Sequence, residues 1–140
     1  MTAKENCVCF NVRRASRALS QFMVTELGHH GLLPTQTPIL GILSAMPDAS
    51  MAEISEGLGM DRTTLVRNLR PLERDGLVES KGSGRGSKVS LRLTPKGKAA
   101  LGKLLPDWRE AQRKVVDTLG AARWAEILAD LDRAARALKK

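Results

Sequence analysis

The sequence predicts a mainly α-helical fold carrying one small β-hairpin, and three observations support that class. Apolar residues recur at helical spacing over most of the chain. Between Leu77 and Leu93 the pattern instead alternates with period two on either side of a glycine-rich tip. Helix-start signals stand where the helical runs begin: Ser50-Met51-Ala52-Glu53, Asp61 and Thr94-Pro95.

Taken in order, residues 7–27 carry Val8, Val12, Ala15, Leu19, Phe22 and Met23 on one side, with Phe10 and Val24 on the other. A helix apolar on two sides is rarely buried by one small chain, and a partner subunit is one way to cover it. Gly28 and Gly31 are expected to end it. Pro34 is expected to open a second helix with Ile39, Leu40, Leu43 and Met46 inward. The capping box Ser50–Glu53 starts a short third helix with Ile54 and Leu58, closed by Gly57 and Gly59. Asp61 caps a fourth that stops near Asp75-Gly76. Leu77 to Lys81 and Val89 to Leu93 read as two strands around Gly82–Ser87. Thr94-Pro95 opens a long helix with Leu101, Leu104, Leu105, Trp108, Val115, Val116 and Leu119 in one stripe and a kink expected at Pro106. After Gly120, the last helix places Trp124, Ile127, Leu128, Leu131, Ala135 and Leu138 on one face.

Composition narrows the function classes. The chain has 140 residues, 42% hydrophobic and 27% charged, which fits one folded domain with or without helical extensions. A net charge of +8 favours a polyanionic partner, nucleic acid first and an anionic membrane surface second. The start, Met-Thr-Ala-Lys-Glu-Asn, has no apolar leader, and no run approaches the ~18 residues of a spanning helix, so a cytoplasmic chain without membrane insertion is expected. Two cysteines do not make a disulfide framework.

The fourth helix, MDRTTLVRNLRPLERDG, carries the most specific chemistry. With Leu65 at the origin, Leu69 and Leu72 fall within about 40° and form the buried stripe. Thr63, Arg67, Arg70 and Arg74 lie opposite, Thr64 and Asn68 at one edge, and Arg62 toward the other. Arginine fits guanine edges and phosphates bidentately, asparagine fits adenine, and threonine bonds phosphate or touches the thymine methyl. A short helix and a tight glycine turn precede it, which is the order of a helix-turn-helix, and the hairpin that follows makes it a winged one. Pro71 predicts a bend after Arg70.

On SMAEISEGLGMDRTTLVRNLRPLERDGLVES, the wing ending in VSLRLTPKGKAAL, and helices at both ends, the chain resembles the MarR family of bacterial transcription regulators. The resemblance spans nearly all of residues 1–140. It implies a single domain, with residues 6–28 and 95–140 as dimerisation helices around a DNA-binding lobe at 34–94. It further implies a triangular homodimer on a palindromic operator of double-stranded DNA, most often a repressor, released by a phenolic-type small molecule or by cysteine oxidation. By position, Arg62, Thr63, Thr64, Arg67 and Asn68 match the major-groove readers, and Arg85 the wing-tip residue of the minor groove. Arg70, Arg74 and Lys88 complete the basic surface. The family wing pattern Asp-x-Arg-[Asp/Ser]-Arg-Arg is replaced here by Gly82-Ser83-Gly84-Arg85-Gly86-Ser87-Lys88. With the bracing aspartate gone, the free wing is expected to order only on DNA. A DNA-coating protein without sequence preference is the alternative reading, and a winged helix turned to protein binding is a third.

Other candidates carry less. Gly82, Gly84 and Gly86 do not fit a phosphate-binding loop, and no Ser/His/Asp or Cys/His arrangement points to an enzyme. No cofactor or metal site is expected: His29 and His30 are adjacent at a helix end and, from helical spacing, do not both face one ion. Cys7 and Cys9 read either as small packing residues or as a redox switch between subunits, being unable to bridge each other without unwinding the helix start. Gln112, beside Trp108, either fixes helix register or faces a ligand cavity.

Overall fold

The computed structural model describes residues 3–82 and 89–139. A short helix α1 (Ala3–Asn6) leads through Cys7 into α2 (Val8–Leu27), which tightens into a 3-10 turn (Gly28–His30). Then follow α3 (Thr37–Ala45), strand β1 (Ala49–Ser50), α4 (Met51–Leu58), α5 (Arg62–Arg74), β2 (Val78–Lys81), β3 (Ser90–Leu93), α6 (Pro95–Asp117) and α7 (Ala121–Leu138). This is the mainly helical, winged helix-turn-helix architecture the sequence predicts.

Several boundaries differ from the sequence reading, each for a local reason. The first helix ends at Leu27 with Gly28 as its cap, as expected, and the 3-10 turn that follows is closed by Gly31 at a left-handed φ of +73°. Pro34 opens a turn rather than a helix; α3 starts at Thr37 once the Gln36 side chain has accepted from the Leu33 N–H at 3.0 Å. Strand β1 is an addition. It spans only Ala49 and Ser50, too short for any period-two pattern, and it exists because β3 offers it a free edge, Ala49 opposite Leu91 and Ser50 opposite Ser90. The sheet order is β1-β3-β2, all antiparallel. Helices α5 and α6 continue through Pro71 and Pro106, each ring removing one intrahelical donor.

The core lies in the lobe. Ile39, Leu40 and Leu43 of α3 meet Ile54 of α4, the α5 stripe, Val78, Leu91 and Leu93 of the sheet, and Leu101 and Leu104 of α6. Lobe and α6 therefore share one core, which reaches past residue 94. Gly97 shows how close the join is: a Cβ built there would lie 2.0 Å from the Leu77 carbonyl oxygen, so only glycine lets α6 start against the residue that leads into β2.

The ends of the chain are the opposite. In α2 only Leu27 is buried, and Val8, Phe10, Val12, Leu19 and Val24 are all exposed. Helix α7 buries no residue at all, and Leu128, Leu131 and Leu138 face outward. Of the α2 stripe read as inward-facing, Val8, Val12, Ala15 and Leu19 are exposed and Phe22 and Met23 are half-buried. No helix among the described residues is long and apolar enough to cross a membrane.

Candidate nucleic-acid interface

The geometry of α5 is set before its first turn. Ser50 and Glu53 exchange side-chain and backbone hydrogen bonds, both 3.1 Å, which fixes the start of α4. Gly59 turns the chain at φ +61°, a conformation glycine adopts without strain. Asp61 then accepts from the Thr64 N–H at 3.3 Å and from the Thr64 hydroxyl. These bonds, the hydroxyl's first, hold the Asp61 carboxyl below the usual carboxylate range. Leu65, Leu69 and Leu72 lock the inner face into the core at 0%, 4% and 1% exposure, as their spacing predicts.

The outer face presents Arg62, Thr63, Arg67, Arg70 and Arg74 to solvent. Arg62, Thr63, Val66, Arg67 and Arg70 line one shallow concavity. Arg74 pairs with its neighbour Asp75 at 3.3 Å, while among the described residues no acid pairs with Arg62, Arg67 or Arg70. Lack of pairing is not by itself diagnostic, since Arg13, Arg14 and Arg17 on α2 also stand without an acidic partner among the described residues. What distinguishes α5 is the conjunction of a capped start, a glycine turn, a fully buried inner stripe and a basic outer face.

Two residues assigned to the reading face are engaged elsewhere. The Thr64 hydroxyl is spent on the Asp61 cap. Asn68 donates from Nδ2 to the Thr64 carbonyl at 2.9 Å and accepts on Oδ1 from the Thr35 hydroxyl at 2.8 Å. Both are half-buried; Thr64 closes the start of α5, and Asn68 ties α5 to the turn before α3. Thr35 carried no signal in the sequence, because a threonine in a turn announces no partner 33 positions away. Arg85, Lys88 and Gly84, and with them the expected ordering of the wing tip, lie outside the described residues. At the wing's base Glu79 and Arg92 sit opposite each other and pair at 2.6 Å.

A second feature lies between α2, α3 and α6. A cavity of about 400 Å³ is lined by Met23, Leu27, Leu32, Pro34, Pro38, Leu101, Leu104, Leu105 and Trp108, with Thr37 as its hydroxyl-bearing residue. No charged side chain lines it. Trp108 is the aromatic member of that lining. Gln112 is half-buried but is not part of the lining; its neighbour Ala111, fully buried, occupies the inward position on α6. Cys7 and Cys9 are both exposed, which leaves the packing reading without support inside one chain. Cys7 is not on the helix face at all; it is the cap residue of α2, its sulfur accepting from the Phe10 N–H at 3.4 Å.

The histidines correct another expectation. His29 and His30 do turn to one point, each Nε2 reaching Oδ2 of Asp107 on α6, at 3.1 and 2.8 Å. Adjacent residues leave a helix in different directions, but two long side chains still converge on a third group placed between those directions. Asp107 is that group, and its carboxyl is held below the usual range by the hydrogen bond from His30 first and that from His29 second.

Comparison with known proteins fits this geometry. The MarR family model matches residues 30–87. The M. tuberculosis transcriptional regulator MosR, solved in complex with DNA, is 36% identical, with a TM-score of 0.84 over 96% of this chain and 100% of that one. The HTH-type transcriptional regulator TtmR of Methylorubrum extorquens is 33% identical over 69% of this chain, a stretch covering half of TtmR's length. The PcaV regulator of Streptomyces coelicolor, solved with its natural ligand, shares the fold at 22% identity, with a TM-score of 0.88 over 99% of both chains.

Proposed function

The chain belongs to the MarR family of transcription regulators, and we propose that it works as a homodimer that reads a pseudo-palindromic DNA operator through α5 and is released by a small apolar effector. The observation that carries this reading is α5 itself. Its apolar side is completed by its own chain, and its solvent side offers Arg62, Arg67 and Arg70, which have no acidic partner among the described residues. Arg62, Thr63, Arg67 and Arg70 are the contact residues for the major groove, with Arg74 at the phosphate margin. Thr64 and Asn68 act as positioning residues through the bonds described above. The 36% identical MosR, bound to DNA in its structure, supports the same partner class here.

The dimer reading rests on the apolar faces left bare on α2 and α7, at the two ends of the chain. Faces of that kind on helices that leave the lobe mark subunit contact more readily than solvent. A two-fold dimer places the two copies of α5 about one helical turn, ~10 bp, apart on the duplex. The effector reading rests on the cavity of about 400 Å³, apolar apart from Thr37, which suits a neutral aromatic ring of phenolic type. Oxidation is the second release route, favoured by the exposure of both Cys7 and Cys9 beside the start of α2.

Binding of operator and of random duplex, compared at one salt concentration, tests the reading. A specific regulator binds its own site roughly 10³–10⁷ times tighter. Equal affinity for both duplexes would make this a DNA-coating protein, and no binding to either would make its winged helix a protein-binding module.

A further inference from the structure

The cluster of His29, His30 and Asp107 has no part in the DNA reading, and its geometry exceeds what a structural hydrogen bond requires. The two rings lie 4.2 Å apart, tilted by 41°, on the 3-10 turn that Gly31 ends. Both Nε2 atoms meet the same carboxylate oxygen, at 3.1 and 2.8 Å. One donor atom from each residue lies within 4.8 Å of the other two. The His30 side chain is only 14% exposed, whereas His29 and Asp107 are 63% and 50% exposed.

We propose that His29, His30 and Asp107 form a binding site for a divalent transition-metal ion of the zinc class, joining the turn after α2 to α6. Imidazole nitrogen and carboxylate oxygen are the borderline ligands such ions select, while calcium and magnesium require more oxygens than the cluster offers. Ligands at ~2.0–2.2 Å in tetrahedral array sit about 3.3–3.6 Å from one another. The two nitrogen–oxygen separations, 3.1 and 2.8 Å, need to open by roughly 0.2–0.8 Å to reach that spacing, and the two ring nitrogens already lie within 4.8 Å of each other. The half-buried His30 holds the inner position, and the exposed side of His29 and Asp107 leaves a fourth position for water. In the metal-free state the hydrogen bonds to Asp107 aim both rings at one point, so little side-chain freedom remains to be lost on binding. Coordination uses the Nε2 lone pairs, so each neutral ring then carries its proton on Nδ1. One carboxylate charge offsets half of the ion's charge, and the site needs no second subunit or DNA.

The test uses the full chain, stripped with a chelator and titrated with Zn²⁺ against a chromophoric competitor. One ion per chain is expected. His30→Ala and Asp107→Ala should each weaken binding by more than about tenfold, the loss that follows even from removing an outer-shell partner of a metal site. Circular dichroism of the metal-free variants establishes that each has folded. A second measurement needs no variant: at stoichiometric Zn²⁺ the ring ¹⁵N signals of Nε2 in both histidines should shift. Zinc affinity unchanged in both folded variants, or ring nitrogens that do not move, would overturn the assignment.

Discussion

Helices α5 and α7 carry similar ingredients, leucines on one side and arginines on the other, and use them in opposite ways. In α5 the leucines are buried by the chain's own core, and Arg62, Arg67 and Arg70 have no acidic partner among the described residues. In α7 the leucines are exposed, and the arginines are neutralised within the helix: Arg123 with Glu126 at 3.1 Å, Arg133 with Asp130 at 2.5 Å, Arg136 with Asp132 at 2.9 Å. Helix α5 is complete on its apolar side and open on its charged side. Helix α7 is complete on its charged side and open on its apolar side. The first awaits an anion and the second awaits another apolar surface.

The sharpest way to break this contrast is to damage each apolar stripe in turn. Leu65→Ala should lower the stability of the lobe by about 2–5 kcal/mol in urea, because it opens a cavity in a packed core. Leu128→Asp with Leu131→Asp should leave the subunit's own core intact and abolish dimerisation, read as a halved mass in sedimentation. A double variant that stays dimeric would remove α7 from the interface.

The charged faces should differ in the same sense. Arg67→Ala should cost ~1–3 kcal/mol on the operator and relax preference at one base pair per half-site, with less loss on random DNA. Arg136→Ala should leave DNA affinity unchanged and cost about 0.3–0.5 kcal/mol of helix stability, the ordinary value of an exposed pair four residues apart. Quantitative footprinting and thermal melts separate these outcomes.

The smallest effect sharpens the description of α5's start. The Asp61 carboxyl is held below its ordinary value of 3.8, chiefly by the Thr64 hydroxyl. A depressed carboxylate stabilises the fold above its unfolded value, and that contribution fades as pH falls through the lower, folded value. Asp61→Asn keeps a capping oxygen without the charge. The melting temperatures of wild type and variant should therefore differ above about pH 4 and converge in stronger acid. A difference that stays constant down to pH 2 would show that the charge of Asp61 contributes nothing to the cap.

Legibility in the sequence followed the range of the interaction. The capping box at Ser50–Glu53, the Asp61 cap, the Thr94-Pro95 start and the stripe of Leu65, Leu69 and Leu72 are all local, set within a turn or two of chain. Those features, with the order of elements, were enough to identify the winged helix and the basic outer face of α5. Contacts between distant segments were not legible. Strand β1 depends on an edge supplied by β3, some forty positions later. The bond of Asn68 to the Thr35 hydroxyl is one of these, since nothing in its neighbourhood announces a partner 33 positions away. His29 and His30 were set apart from each other by helical spacing, which has no knowledge of Asp107, 77 positions beyond His30, standing where both rings can reach. By itself the sequence determined the elements, their caps and the apolar stripes, because backbone geometry and side-chain period act over a few residues. Only the tertiary structure decided which polar side chains remain free for a partner, because hydrogen bonds are allotted by distance in space and not along the chain.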